Sequence, residues 1–397
     1  MEVSLLLNIA IIFGVAILII LFCNRLNIPY LIGFLITGIV VSPNSFGLLK
    51  EGAEVESFAE VGVILLLFSV GIEFSIKNLL RIKRYVLLGG LAQVFFTIGV
   101  TALCVKLFAF TWQEAVFVGF IVSCSSTAIV IKQLQDRIEI TTDYGKVILA
   151  VLLFQDIIIV PMMLLTPMLS GKDTNILVSI VELILKLMGI TLAAYVSARW
   201  IIPQFLARVM KLKSQEIFLI ATVFIIAVIT TLTSTLGLSL ALGAFIAGLI
   251  IAETDYNRLA ITCFLPFRYL FISFFFISMG MLLNYRIVLE YPVTILLLFL
   301  SVLLIKFITA ALATYILKLP VKTAVLVGLI LAQIGEFSFI LSKTGLDNGL
   351  ISETHYQIFI VVAILTMAVT PFLIQQAQPL ANILLKLSPV IAHESKA

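Results

Sequence analysis

The sequence predicts an all-α polytopic membrane protein, with about thirteen transmembrane helices in inverted-topology repeats and two crossing broken helices. Three observations predict it: an overwhelmingly apolar composition, a lopsided distribution of basic residues between alternate loops, and matched segments in the two halves of the chain. Of the 397 residues 62% are hydrophobic and only 12% are charged, against roughly 45–50% and about 25% in soluble domains. Such a surface must face lipid.

A helix needs about 20 apolar residues to cross the hydrocarbon core. Runs bounded by charged or Pro/Gly-rich breaks give spans near 3–23, 29–49, 57–75, 85–109, 114–134, 146–169, 176–199, 215–235, 237–252, 261–283, 289–316, 322–343 and 354–385. The first has no basic leader and no small-residue cleavage site, so it reads as a retained span.

With the N-terminus outside, the expected cytoplasmic loops and C-terminus hold 18 Lys and Arg, the opposite loops 5, and Lys186 and Lys306 fall inside spans. This positive-inside bias supports thirteen spans, N-terminus out and C-terminus in, in a cell inner membrane.

Repeats come next. Gly33-Phe34-Leu35-Ile36-Thr37-Gly38 in the second span matches Gly243-Ala244-Phe245-Ile246-Ala247-Gly248 in the ninth, and residues 68–71 (Phe-Ser-Val-Gly) match 277–280 (Ile-Ser-Met-Gly) at nearly the same offset. The paired spans are seven apart, and an odd number reverses direction through the membrane. One transmembrane domain over 1–397 is therefore expected, with inverted repeats near 29–170 and 237–385 and the site at the midplane where they meet.

Buried polar groups locate that site. A charge at mid-bilayer costs about 2.5–3.5 kcal/mol or more, so its presence needs a reason. Asp156, preceded by Gln155, lies about ten residues into the sixth span. A carboxylate held out of water can take a proton or a cation, but not both well. Its bland alternative is a salt-bridged structural acid.

Ser123-Cys124-Ser125-Ser126-Thr127 lies in the middle of the fifth span. Hydroxyls there can bond back to i−4 carbonyls and loosen the helix, which suits a break beside a cavity. Its mate in the twelfth span is Gln333-Ile334-Gly335-Glu336. Two breaks crossing at the centre would offer half-helix ends and freed carbonyls to an ion. Lys306 in the eleventh span needs a counter-charge, either a helix C-terminus or an acid on the sixth or twelfth span. Glu73 with Lys77 and Glu182 with Lys186 read as local i,i+4 pairs. Gln93 and Asn284 carry no clear signal.

Several classes are disfavoured. No G-x-x-x-x-G-K-[ST] phosphate loop occurs. The cysteines (Cys23, Cys104, Cys124, Cys263) form no C-x-x-C pair, and the two histidines suggest no metal or redox centre. The serine run lacks a histidine partner, so no enzyme is expected, and no nucleic-acid partner. A potassium channel would want a TVGYG-like filter, which is absent. An organic-anion symporter would need a basic contact, for which Lys306 is the only candidate.

Four stretches carry a resemblance: Gly62–Phe68 continuing through Gly71-Ile72-Glu73-Phe74, Ser125-Ser126-Thr127-Ala128, Leu153-Phe154-Gln155-Asp156, and Ala332-Gln333-Ile334-Gly335-Glu336-Phe337. Together they resemble the Kef-type branch of the monovalent cation:proton antiporter-2 family over essentially the whole chain. The resemblance implies the sodium/proton antiporter fold, a dimerisation domain and a mobile core domain, elevator-type alternation and a homodimer. It implies ion and proton binding at Asp156, with Gln155, Ser125, Ser126 and Thr127 around it, and support of the crossing helices by Lys306, Gln333 and Glu336.

Electrogenic relatives carry two adjacent aspartates where this chain has Gln155-Asp156, so a one-for-one, electroneutral exchange is expected, potassium favoured and sodium next. The ions are substrates; no cofactor is expected. Kef proteins typically continue into a cytosolic nucleotide-binding regulatory domain, which is not expected within residues 1–397.

Overall fold

In lipid every backbone polar group must find a partner within the chain, and helices do this locally. The computed structural model describes residues 2–26, 28–42, 53–73, 84–171, 189, 192–235, 240–281 and 283–387, and among them the chain is entirely helical apart from turns. Seven of the described helices are long and apolar enough to cross a bilayer. A further pair, Asn257–Phe264 and Tyr269–Met281, qualifies as one span bent by 54°, with Pro266 between the halves. Four shorter apolar helices accompany them. The Glu182–Lys186 pair and Lys77 lie outside the described residues.

The helices fall into two units. The first contains α1 (Glu2–Arg25), most of α2 (Tyr30–Val41), α4 (Tyr85–Lys106), α5 (Trp112–Ser123), α6 (Thr127–Asp136) and α7 (Asp143–Leu169). From the second half of the chain it takes α12 (Arg286–Glu290), α13 (Pro292–Ile316), α14 (Val321–Ile330), α15 (Phe337–Asp347) and α16 (Glu353–Leu387). The second contains α3 (Ala53–Glu73), α8 (Ile202–Met210, entered through a π turn at Ser197–Ile201), α9 (Gln215–Thr235), α10 (Leu240–Ala252) and α11 (Asn257–Met281).

In the second unit α3 packs on α10 and α11. A Cβ on Gly71 would meet the Phe245 carbonyl, and one on Gly248 the Phe68 carbonyl; these small residues let the two backbones touch. Arg199 and Arg208, expected in a loop after a seventh span ending at 199, lie in helical segments instead. The reason is amphipathicity: Ile202, Leu206 and Val209 are buried along one face, so the helix continues past its apolar run.

In the first unit a continuous apolar cluster joins several helices. Val130 and Leu134 of α6, Ile148 and Leu152 of α7, Val327 and Ile330 of α14, and Ile374 and Ala377 of α16 all contribute. Polar residues cap the helices that carry the breaks. Thr111 and Glu114 form a reciprocal capping box at the start of α5, and Thr142 accepts from Gly145 N at the start of α7. α4 and α7 approach closely, because a Cβ on Gly90 would run into the Phe154 side chain.

Gly99, further along α4, has nothing within 4 Å of where its Cβ would stand. Gly99→Ala is therefore expected to stabilise α4 by up to ~1 kcal/mol through helix propensity alone. A small rise in the thermal unfolding midpoint of the detergent-solubilised protein checks this.

Candidate functional site

Both predicted breaks exist, and both lie in the first unit. α5 ends at Ser123; Cys124 turns to an extended conformation (φ −80°, ψ 139°) and Ser126 stays extended before α6 begins at Thr127. The second break runs from Leu331 to Glu336, between α14 and α15. Unwinding removes intrahelical partners from backbone groups in a place without water, so each must be satisfied otherwise.

The two breaks satisfy each other. Gly335 N donates to Cys124 O at 3.0 Å, and Ser125 Oγ donates to Leu331 O at 3.1 Å. Ser126 N donates to Gln333 Oε1 at 3.3 Å, and Ala128 N to Glu336 Oε1 at 3.3 Å. Neighbouring helices supply the rest: Ser125 N donates to Gln155 Oε1 at 2.7 Å, and Ile334 N to Thr366 Oγ1 at 3.2 Å.

The pattern is nearly two-fold. Residue 125 is capped from α7 and its counterpart 334 from α16, in each case the span that follows the broken one. Thr97 and Thr309, on the spans that precede the two broken ones, meet at 2.8 Å.

The hydroxyl run behaves only partly as its composition suggests. Ser123 Oγ does fold back, onto Phe120 O. Ser125 instead reaches across to the other break. Ser126 caps α6 by accepting from Ile129 N at 3.3 Å. Both work as connectors and caps because their own backbone has already left the helix.

Charge is arranged around these ends. Lys306, fully buried, donates from Nζ to Ser123 O at 2.7 Å. Of the two partners left open for it, the structure gives it a helix C-terminus, where a cation opposes the negative end of the α5 dipole. Glu336 places its carboxylate on the positive N-terminus of α6.

Asp156, 7% exposed, accepts from Thr127 Oγ1 at 3.0 Å, on the first residue of α6. Pro161 lacks the N–H that would bond the Ile157 carbonyl, one residue past Asp156. All eight sequence-predicted residues thus gather at one crossing: Ser125, Ser126, Thr127, Gln155, Asp156, Lys306, Gln333 and Glu336.

Gln333 is fully buried, and its Nε2 has no hydrogen-bond partner among the described residues. Leaving such a donor unmet costs about 1–3 kcal/mol.

Sequence reasoning missed Gln93. It is fully buried and donates to Ser123 O at 3.2 Å and to Thr97 Oγ1 at 3.0 Å, while accepting from Gln155 Nε2 at 2.6 Å. The available signal was the Gln93/Thr97 spacing of one turn, which puts two polar side chains on one face of an apolar helix.

Comparison with known proteins agrees with this architecture. Residues 11–377 match the family described as sodium/hydrogen exchanger, transmembrane. The chain is 31% identical over 369 residues to K(+) efflux antiporter 4 of Arabidopsis thaliana, covering 92% of this chain and 60% of that protein. It is 31% identical over 363 residues to the glutathione-regulated potassium-efflux system protein KefC of Escherichia coli, covering 91% and 58%. It therefore spans about six tenths of the length of these relatives.

The sodium proton antiporter MjNhaP1 of Methanocaldococcus jannaschii shares the fold, with a TM-score of 0.66 at 15% identity over 95% of this chain and 98% of that one. The chain belongs to the sodium/hydrogen exchanger transmembrane family.

Proposed function

We propose that this chain exchanges a monovalent cation for a proton, one for one, with Asp156 as the shared site. The observation that carries this reading is a nearly buried carboxylate hydrogen-bonded to the first residue of a broken helix. Protonated, it is a neutral donor and acceptor. Ionised, it needs a cation. The two states exclude each other, and that exclusion couples the fluxes.

Gln155 cannot ionise, so a single carboxylate sets the count at one proton per cation. The potassium-efflux relatives favour potassium. Sodium is the second reading, favoured by the family's description and by the structural neighbour.

Alternating access would move the first unit, which holds all eight site residues, in elevator fashion. The basic-residue bias supports an inner-membrane location with the N-terminus outside and the C-terminus cytoplasmic. We further propose a homodimer in the bilayer and, by analogy with the longer relatives, a cytosolic regulatory domain or subunit.

Reconstituted in proteoliposomes bearing a pH gradient, the chain should dissipate the gradient on addition of K⁺, with a weaker response to Na⁺ and Li⁺, and without generating a membrane potential. Because proton and cation compete, the apparent KM for the cation should fall by up to about tenfold per pH unit while protons still occupy the site, one decade of competitor being one decade of affinity. A potassium-dependent membrane potential would overturn the one-for-one count. Cation flux indifferent to the proton gradient would overturn exchange itself.

A further inference from the structure

We propose that Gln93 is a positioning residue for the exchange site: it fixes the orientation of the Gln155 amide beside Asp156 and disfavours a carboxylate at position 155. The inference rests on the reading of Asp156 as the ion site. An amide has a donor end and an acceptor end of nearly the same shape, and only its partners decide which way it points. Here the partners form a directed chain. Gln93 Nε2 donates to Ser123 O, Gln155 Nε2 donates to Gln93 Oε1, and Ser125 N donates to Gln155 Oε1.

Both ends of that chain are backbone groups of fixed character. Ser123 O can only accept and Ser125 N can only donate, so neither glutamine can flip without breaking the whole relay. The end residues flank Cys124, the centre of the first break. The two side chains thus replace the backbone bonds that unwinding removed, and they clasp the end of α5 to the start of the extended segment. Gln93 is held from behind by Thr97, which also donates from Oγ1 to Gln93 O at 2.7 Å. Gly90, one turn earlier, lets α4 come close enough to α7 for the two amides to meet.

The relay also dictates what can stand at 155. An ionised carboxylate there would set its lone pairs against Gln93 Oε1, and Gln93 cannot turn its amide because Ser123 O holds the other end. Gln93 is thereby the residue that makes a second carboxylate beside Asp156 unfavourable.

The test uses the full chain in proteoliposomes, with Gln93→Met and Gln93→Glu assayed beside Asp156→Asn. Gln93→Met keeps the volume and removes the relay; the apparent KM for K⁺ is expected to rise roughly tenfold, the worth of unmet buried hydrogen bonds, with a smaller change in maximal rate. In Gln93→Glu a protonated carboxyl can donate to Ser123 O and accept from Gln155, so the relay survives at the acidic end of the profile. An ionised one faces Ser123 O with a lone pair and is drawn toward Lys306. Lys306 shares Ser123 O with it, and Cys124, Asp156 and Glu336 are further titratable groups at the same break; its activity should fall away toward alkaline pH where the parent chain's does not.

A merely structural role would lower the yield of folded protein and the maximal rate, with KM and pH profile as in the parent chain, and that result overturns the proposal. If Asp156→Asn is silent while both Gln93 variants behave like the parent, the Gln93 proposal alone falls. If Asp156→Asn retains exchange, the site reading falls and takes this proposal with it.

Discussion

Asp156→Asn should reduce cation-driven proton movement to the level of protein-free liposomes while the protein still folds. The substitution is nearly isosteric, and an amide oxygen can still accept from Thr127 Oγ1, the contact that ties α7 to α6. What it removes is the capacity to alternate between charged and neutral forms. Without that capacity nothing on α7 exchanges a proton for a cation, because the preceding side chain is already an amide.

Stability should hold or rise slightly, since ionising a carboxyl away from water is unfavourable and the amide removes that liability. The measurement is the collapse of an imposed pH gradient on adding K⁺, Na⁺, Li⁺ or Rb⁺, with thermal unfolding as the control. Residual exchange well above the liposome background, in a variant that unfolds like the parent, would remove Asp156 from its proposed role. Asp156→Glu, which keeps the charge but displaces it by a methylene, should fall between the two.

Much of this arrangement was legible in the chain. Hydropathy outlines the apolar helices because lipid imposes one length and one solvation rule on all of them. The breaks were legible because Ser123–Thr127 and Gln333–Glu336 interrupt apolar runs with groups that have no business in mid-membrane unless the backbone there is irregular.

What could not be read was pairing. Gln93 looked uninformative because two of its partners, Ser123 and Gln155, lie 30 and 62 residues away, and the Gln93/Thr97 pair on its own helix does not say what it faces. Lys306 was visible as a buried cation, but the choice between a helix end and a carboxylate depends on which span faces it. The serine run pointed to a loosened helix, yet Ser125 bonds across to Leu331 O in the second break, a contact 206 residues distant.

Gly335→Ala is the substitution expected to do most damage to the crossing itself. A Cβ at this position would land on the carbonyl carbon and oxygen of Ser125, so the two breaks must part. Parting them loosens a connected set of bonds: Gly335 N to Cys124 O, Ser126 N to Gln333 Oε1, and Ala128 N to Glu336 Oε1.

Overpacking a well-filled interior costs about 1–3 kcal/mol, and each buried group left unmet adds about 1–3 kcal/mol more. The thermal midpoint should therefore drop by several degrees, and exchange should fall close to background, because Thr127 and with it the Asp156 contact move with the start of α6.

Gly99→Ala is the internal control: the same chemical change in the same unit, at a position with open space, is expected to leave transport intact. A Gly335→Ala protein with parental midpoint and exchange would mean the two breaks do not depend on close contact. The coupling of Asp156 to the second half of the chain would then have to run through Lys306 and Thr309 on α13 instead.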